Sequence, residues 1–401
     1  MPSNSITRRS ALAALGSTAA LTLSGCLGVG LGDSRTYERN APVGPVDGAW
    51  PTYQYDFANT GFTAASGPSD GATVEGVVPR PSAVASGVSL ADGRGFVGRS
   101  DGDGETGSYR GFGLDGAASW TVDYPHGKST PTVAGDAVFV STAEHVAAYD
   151  ARDGALCWKT TAGGYGASAN APALAADTVV DVGGRTVYGR DPVTGATQWS
   201  YDAGGTYPGL TARDGVVYTP TGEDREQTGV AALDPATGDV RWRRDTLPQS
   251  GVPLAVGDTH LYYAAHRGDV YALALDDGST RWQASLSLPE DGSARLALAD
   301  GRLHAQSSDG ALAAFDAQTG DRVWERSVNA SFGPRPPVVA ADTRFALGRN
   351  ALYAFDAATG DDQWSLTLDA RPALSTAPAV RDGELYYAGP GRTHGVFRVA
   401  D

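Results

Sequence analysis

Seven tryptophans, Trp120, Trp158, Trp199, Trp242, Trp282, Trp324 and Trp364, recur 38, 41, 43, 40, 42 and 40 residues apart in a chain of 401 residues. Such regularity marks a repeat architecture, in which one supersecondary unit is copied and stacked on its neighbours. The eighth tryptophan, Trp50, stands well ahead of the series and out of step with its spacing. A repeat member displaced to the far end of the chain is what a ring needs if its first and last segments share one unit.

Two further marks punctuate each repeat. One is a two-residue turn between apolar runs, such as Asp92-Gly93, Gly135-Asp136, Asp214-Gly215 and Asp382-Gly383, eight in all. Asp and Gly supply local side-chain bonding and positive φ, as tight hairpins require. The other is Asp-x-x-x-Gly-x-x-x-Trp, seen at Asp150/Gly154/Trp158, Asp191/Gly195/Trp199, Asp234/Gly238/Trp242, Asp316/Gly320/Trp324 and Asp356/Gly360/Trp364. Two copies are degraded, with Ala274 and Phe112 where Asp belongs. Between the marks lie strand-like runs such as 137–140, 146–149 and 352–355. One repeat therefore predicts four antiparallel strands, which is one propeller blade. Proline often opens the innermost strand, as at Pro131, Pro172, Pro208, Pro253, Pro337 and Pro378, where a missing N–H is tolerated best.

Eight inner turns but only seven tryptophan strands in order leave the last unit one strand short. Residues 377–380, 384–387 and 395–399 read as its three strands, and the N-terminal segment 49–53, around Trp50, is expected to add the fourth. Closing the ring within one blade removes the exposed sheet edges of an open ring. The expected fold is all-β: an eight-bladed β-propeller of four-stranded antiparallel blades, the last closed by the N-terminal strand. A seven-bladed ring is the alternative if the first repeat is not a full blade. The eight tryptophans, Trp50 included, are expected to dock blades rather than bind a cofactor.

Charge narrows the partners. The chain has 46 acidic and 31 basic residues, a net charge of −15, and only Lys128 and Lys159 as lysines. No basic footprint for nucleic acid is present. The acidity suits a halophilic source, where about 1 M salt shortens screening to roughly 3 Å; the lysine shortage fits a GC-rich genome equally well.

The N-terminal segment reads as an address. Arg8-Arg9 is a twin-arginine pair, followed by a mildly apolar stretch over 11–23. As a helix that stretch spans about 20 Å, short of a bilayer core of about 30 Å, so this is a signal segment and not a membrane span. Small residues before Cys26 resemble a lipobox, at which that cysteine is lipidated. The domains expected are the twin-arginine signal peptide with lipobox (1–25), a flexible tether (26–46) and the propeller (47–401). The localisation expected is extracytoplasmic, anchored to the outer face of the cytoplasmic membrane. With Cys26 acylated, Cys157 would have no disulfide partner, and reads as a small buried apolar residue.

The phrase Ala354-Phe355-Asp356-Ala357-Ala358-Thr359-Gly360-Asp361-Asp362-Gln363-Trp364 resembles the pyrroloquinoline-quinone (PQQ)-like propeller repeat. The run from Trp50-Pro51-Thr52-Tyr53 to Asn59-Thr60-Gly61 is similar to the opening signature of that superfamily. The resemblance covers residues 47–401. It implies a fold shared by quinoprotein alcohol dehydrogenases and by non-enzymatic lipoproteins of the BamB type, so it does not settle activity. The dehydrogenases stack PQQ on a disulfide between adjacent cysteines and bind Ca²⁺ through Glu, Asn and Asp; neither set can be carried onto this sequence. No catalytic, cofactor-binding or metal residue is assigned, and PQQ is not expected.

Other motifs yield little. The 101–105 run Asp-Gly-Asp-Gly-Glu puts Phe112 where a calcium loop needs its final Glu. Together with 219–229 it reads as an enlarged solvated loop, on the rim that also carries the connections between blades. The Gly93–Gly98 match to G-x-G-x-x-G leads into a strand and not a helix. The six histidines, His126, His145, His266 and His394 among them, lack metal spacing, and Arg335 and Asn170 fall near the channel mouth. The expected function is a monomeric, lipid-anchored, non-catalytic scaffold that binds an unknown surface or membrane protein. A diverged PQQ-dependent oxidoreductase and a carbohydrate- or small-ligand-binding surface module are the alternatives. A BamB-type role in outer-membrane assembly would not transfer intact to a halophilic archaeon, which has no such membrane.

Overall fold

The computed structural model describes residues 50–401 apart from 71–72, 80–83, 101–106, 116–119, 125–128, 143, 163–170, 205–209, 223–227, 251–252, 288–293, 369–371, 373–375 and 390–394. Ahead of residue 50 it describes only the short paired strands Leu27–Gly28 and Arg35–Thr36. Arg8, Arg9, Cys26, His126, Asn170 and His394 lie outside the described residues.

Eight four-stranded antiparallel blades follow one another, blades 1 to 7 spanning 84–123, 132–161, 173–202, 211–247, 255–285, 294–327 and 338–367; in blade 7 the short strand Phe62–Thr63 adds a fifth, parallel member to the sheet. Blade 8 combines three strands within 379–400 with Thr73–Pro79. No helix long and apolar enough to cross a membrane occurs among the described residues. Blade 8 packs on blade 1 through a shared core that includes Val78, Val88, Phe112, Leu385 and Val396, so the ring is closed.

Each blade follows from its local sequence. Four inner turns, Asp92-Gly93, Asp214-Gly215, Asp300-Gly301 and Asp382-Gly383, take left-handed geometry at both residues, with Asp214 and Gly215 at φ 48° and 70°. That matches the type I′ hairpin, whose twist suits the flanking strands. Pro131, Pro172, Pro337 and Pro378 immediately precede their innermost strands. Second strands are buried on both faces, as in Ala137–Ser141 and His260–Ala264, because each blade is sandwiched between two others. Fourth strands alternate, with outward residues exposed, as in Asp362–Thr367.

The N-terminal closure holds, but through a different segment than expected. Thr73–Pro79, not 49–53, pairs with Gly395–Ala400. Its register explains why a count of tryptophans misses it. In blade 2, Trp158 faces Ala148 just before a one-residue slip to Tyr149 and Leu156. In blade 8 the slip lies elsewhere, between Val396 and Phe397, and Arg398, which faces Tyr386 as Ala148 faces Phe139, pairs with Glu75. Glu75 therefore occupies the tryptophan position of the closing strand.

Candidate functional site

Residues 50–66 form a belt around the inner wall of the ring. Trp50 and Leu90 exchange two backbone hydrogen bonds of 2.8 Å at blade 1. The belt carbonyls of Pro51, Phe57, Ala58, Thr60 and Gly61 then accept from Val133, Ala212, Val256, Leu298 and Val339, at 2.6–2.9 Å. Thr63 and Ser66 accept from Ala341 and Gly383 in the turns of blades 7 and 8. Blade 3 is met by the Phe57 ring, which packs on the cores around Ala173 and Leu174. Apart from blade 7, where Phe62–Thr63 pairs in parallel with Val338–Ala340, the innermost strands have no further strand beside them, and their inward N–H groups need acceptors. The belt supplies these acceptors in nearly every blade, at the end of the channel beside the inner hairpins.

Belt side chains fix the register. Asn59 Nδ2 donates to Leu210 O (3.2 Å), Leu254 O (3.2 Å) and Thr211 Oγ1 (3.0 Å), tying blades 4 and 5. Gln54 Nε2 donates to Leu296 O at 2.8 Å. The Asp56 carboxylate accepts from Thr60 N and Oγ1 at 2.9 and 2.8 Å. Burial pushes the Asp56 carboxyl up, opposed by those bonds and by Arg213. Trp50 is the fully buried first residue of this belt, in the core shared by blades 7, 8 and 1.

The other tryptophans lie on the seams between blades. Trp120, Trp158, Trp199, Trp242, Trp282 and Trp324 each donate Nε1–H to a carbonyl of the next blade, those of Ala151, Pro192, Pro235, Leu275, Ala317 and Ala357, at 2.7–3.2 Å. Each acceptor directly follows the Asp position of the Asp-x-x-x-Gly turn. The glycine of that turn receives the indole: a Cβ on Gly238, at φ 75°, would stand 2.6 Å from the Trp199 ring. Trp364 lies on the closing seam, and its Nε1 has no partner.

The rim opposite the belt carries the connections between blades together with the loops joining second and third strands. Backbone bonds tie the two sets, as from His266 to Gln249, Phe332 to Ser308 and Arg349 to Ser331, at 2.8–2.9 Å. This agrees with the rim assignment made from sequence; the tips at 101–106 and 223–227 lie outside the described residues. Arg335 is buried here, donating to Phe332 O at 2.8 Å and Pro372 O at 2.7 Å, and burial pulls its guanidinium down to about 10. It braces two inter-blade connections. Among the described residues no three His, Cys, Asp or Glu side chains are grouped to hold a metal ion.

Cys157 is buried beside Phe139 and Trp158, as expected, but it is disulfide-bonded and not unpaired. Its partner lies outside the described residues. Acylation of Cys26 would remove the chain's one other cysteine as a partner, which is why the sequence alone points to an unpaired Cys157.

Ring, belt and tryptophan seams define a closed PQQ-like eight-bladed propeller. The family described as outer membrane protein assembly factor BamB matches residues 106–224 and 226–386, and the chain belongs to it. Outer membrane protein assembly factor BamB of Burkholderia pseudomallei (strain K96243) is 28% identical over 262 residues, covering 59% of this chain. The match spans 64% of that relative's length, just under two thirds. Among solved structures, BamB from Moraxella catarrhalis superposes with a TM-score of 0.59 at 21% identity, covering 81% of this chain and 97% of that one. Quinohemoprotein alcohol dehydrogenase from Comamonas testosteroni gives 0.65 at 14% identity, covering 88% and 80%. Likeness at that identity shows the shared fold alone.

Proposed function

We propose that this chain is an extracytoplasmic scaffold that binds a surface or membrane protein through the loop rim opposite the belt, without catalysis. The observation that carries the reading is the belt: it ties the innermost strands together on the hairpin side and leaves a rigid disc whose loops face the other way. Loops on a rigid scaffold are where recognition concentrates. Family membership supports the protein-binding character, since the relatives are named as assembly factors. The assembly role in their name is proposed here only as a type of interaction, with the partner left to experiment.

The dehydrogenase alternative has little support in the residues. The sequence has no adjacent cysteine pair, and the described residues group no metal-binding set. Reconstitution with PQQ and Ca²⁺ is the test. A scaffold should show no stoichiometric uptake, and one-to-one uptake with dye reduction would reject the proposal. A reproducible glycan-array hit would move the reading to the carbohydrate-binding alternative.

The anchor turns on one sulfur atom. A thioether lipid on Cys26 and a disulfide from Cys26 to Cys157 exclude each other, although either places the chain outside the reducing cytoplasm. Mass spectrometry of the mature N-terminal peptide from membranes decides between them. The disulfide at Cys157 makes an unmodified Cys26 linked to the Cys157 peptide the expected result; a lipid-modified Cys26 would establish the anchor instead.

A further inference from the structure

The blades repeat closely enough that a single misplaced charge stands out. The middle residue of each innermost strand faces one residue of the second strand. Those partners are Val138, Val179, Val217, Leu261, Leu303 and Leu385 in blades 2 to 6 and 8, and Gly95 in blade 1. In blade 7 the same position is Arg344, facing Val339. It is fully buried.

A second departure lies beside it. The next second-strand position is aromatic in six blades, and in five of them the ring packs on the blade's own tryptophan, as Tyr262 does on Trp282 at 5.9 Å. In blade 6 that position is His304, 1% exposed, with its ring 6.1 Å from Trp324. Arg344 Cζ lies 5.6 Å from the centre of the same Trp324 ring and 5.9 Å from that of Phe355. The two polar substitutions thus meet at one seam, between blades 6 and 7.

Arg344 is poorly satisfied there. Nη2 makes two long bonds, 3.2 Å to Ala305 O and 3.3 Å to Gln306 Oε1, while Nε, Nη1 and the His304 Nδ1 have no partner. Among the described residues no carboxylate pairs with Arg344. The contrast is Arg190, equally buried in blade 3, whose Nε lies 2.5 Å from Asp181 Oδ1. Isolating a charge in a protein core is strongly unfavourable, and a desolvated ring face offsets only part of that. Burial pulls the Arg344 guanidinium down only to about 9, so the cation persists at neutral pH. Arg344 and Arg302 both add to the desolvation that holds His304 neutral.

We propose that Arg344 and His304 form an internal site for a small monovalent inorganic anion, which supplies the missing negative charge and accepts the unmet N–H bonds. His304 contributes a donor in its Nδ1–H tautomer. A buried water would accept the same hydrogens but leave the charge uncompensated.

Bromide is the probe, because its anomalous scattering locates it. Crystals of the full chain grown in sodium bromide should show an anomalous peak within hydrogen-bond reach of Arg344 Nε or Nη1. In solution, unfolding would be followed in sodium chloride against sodium gluconate at fixed ionic strength. Above the dissociation constant, each tenfold rise in chloride should raise the folding constant about tenfold. The variant Arg344→Leu, which restores the residue type of the other blades, should lose that rise. Crystals with no bromide at Arg344, or an Arg344→Leu protein that keeps the chloride dependence, would overturn the proposal. If that variant does not fold, the bromide map of the wild type decides alone.

Discussion

Replacing Trp199 by Ala removes two contacts that help join blade 3 to blade 4: the indole stacked on Gly238 and the 2.7 Å bond to Pro235 O. Thermal or denaturant unfolding of Trp199→Ala should show a loss of about 3–5 kcal/mol. Most of this residue-level pattern is legible in sequence, because Asp-x-x-x-Gly-x-x-x-Trp carries the turn, the left-handed glycine and the indole together. Arg344 and His304 are not legible. Each is one polar residue in an apolar run, and only the register between blades shows that both positions are core. His304 gives a pH prediction with a definite sign. Burial holds its pKa well below the usual 6.5. Below about pH 6.5 the unfolded chain therefore binds a proton that the folded chain does not, and stability falls as pH drops. The slope should approach about 1.4 kcal/mol per pH unit for this one group. His304→Phe should remove that part of the acid loss, read as the difference between the two proteins' unfolding curves from pH 7 to pH 5.

The belt and the closing strand show where reading elements from sequence stops. Trp50 joins the repeat tryptophans by residue type alone, yet Pro51 beside it lacks the N–H that a fourth strand would use. The true closing strand, Thr73–Pro79, carries Glu75 at the tryptophan position and so leaves no trace in a tryptophan count. Both facts are local, but recognising them requires the register with Gly395–Ala400, at the opposite end of the chain. The belt makes its own prediction. Asn59 sits at φ 53° and reaches three acceptors in blades 4 and 5. Asn59→Ala leaves those acceptors unmet, a loss of about 1–3 kcal/mol for a buried polar group. Hydrogen exchange should then quicken at Ala212 and Val256, whose amides donate to Phe57 and Ala58, and remain slow in the outer strands. Uniform quickening would mean that the belt is not a separate element.

For the whole molecule, eight blades, closure by an N-terminal strand and the two-rim layout were all readable from punctuation and count. The use of the disc was not, because a repeat motif encodes a scaffold and the recognition surface lies in its loops. The molecule is asymmetric: one rim carries the belt contacts and the inner hairpins, and the other carries the connecting loops. Photo-crosslinking amino acids placed one at a time at Asp309 and Asn350, exposed on the loop rim, and at Gly301 and Asp342, exposed on the hairpin rim, test it in intact cells. The scaffold proposal predicts that one and the same membrane or surface protein is captured from 309 and 350 and not from 301 and 342. Capture from the hairpin rim alone, or equally from both rims, would contradict it.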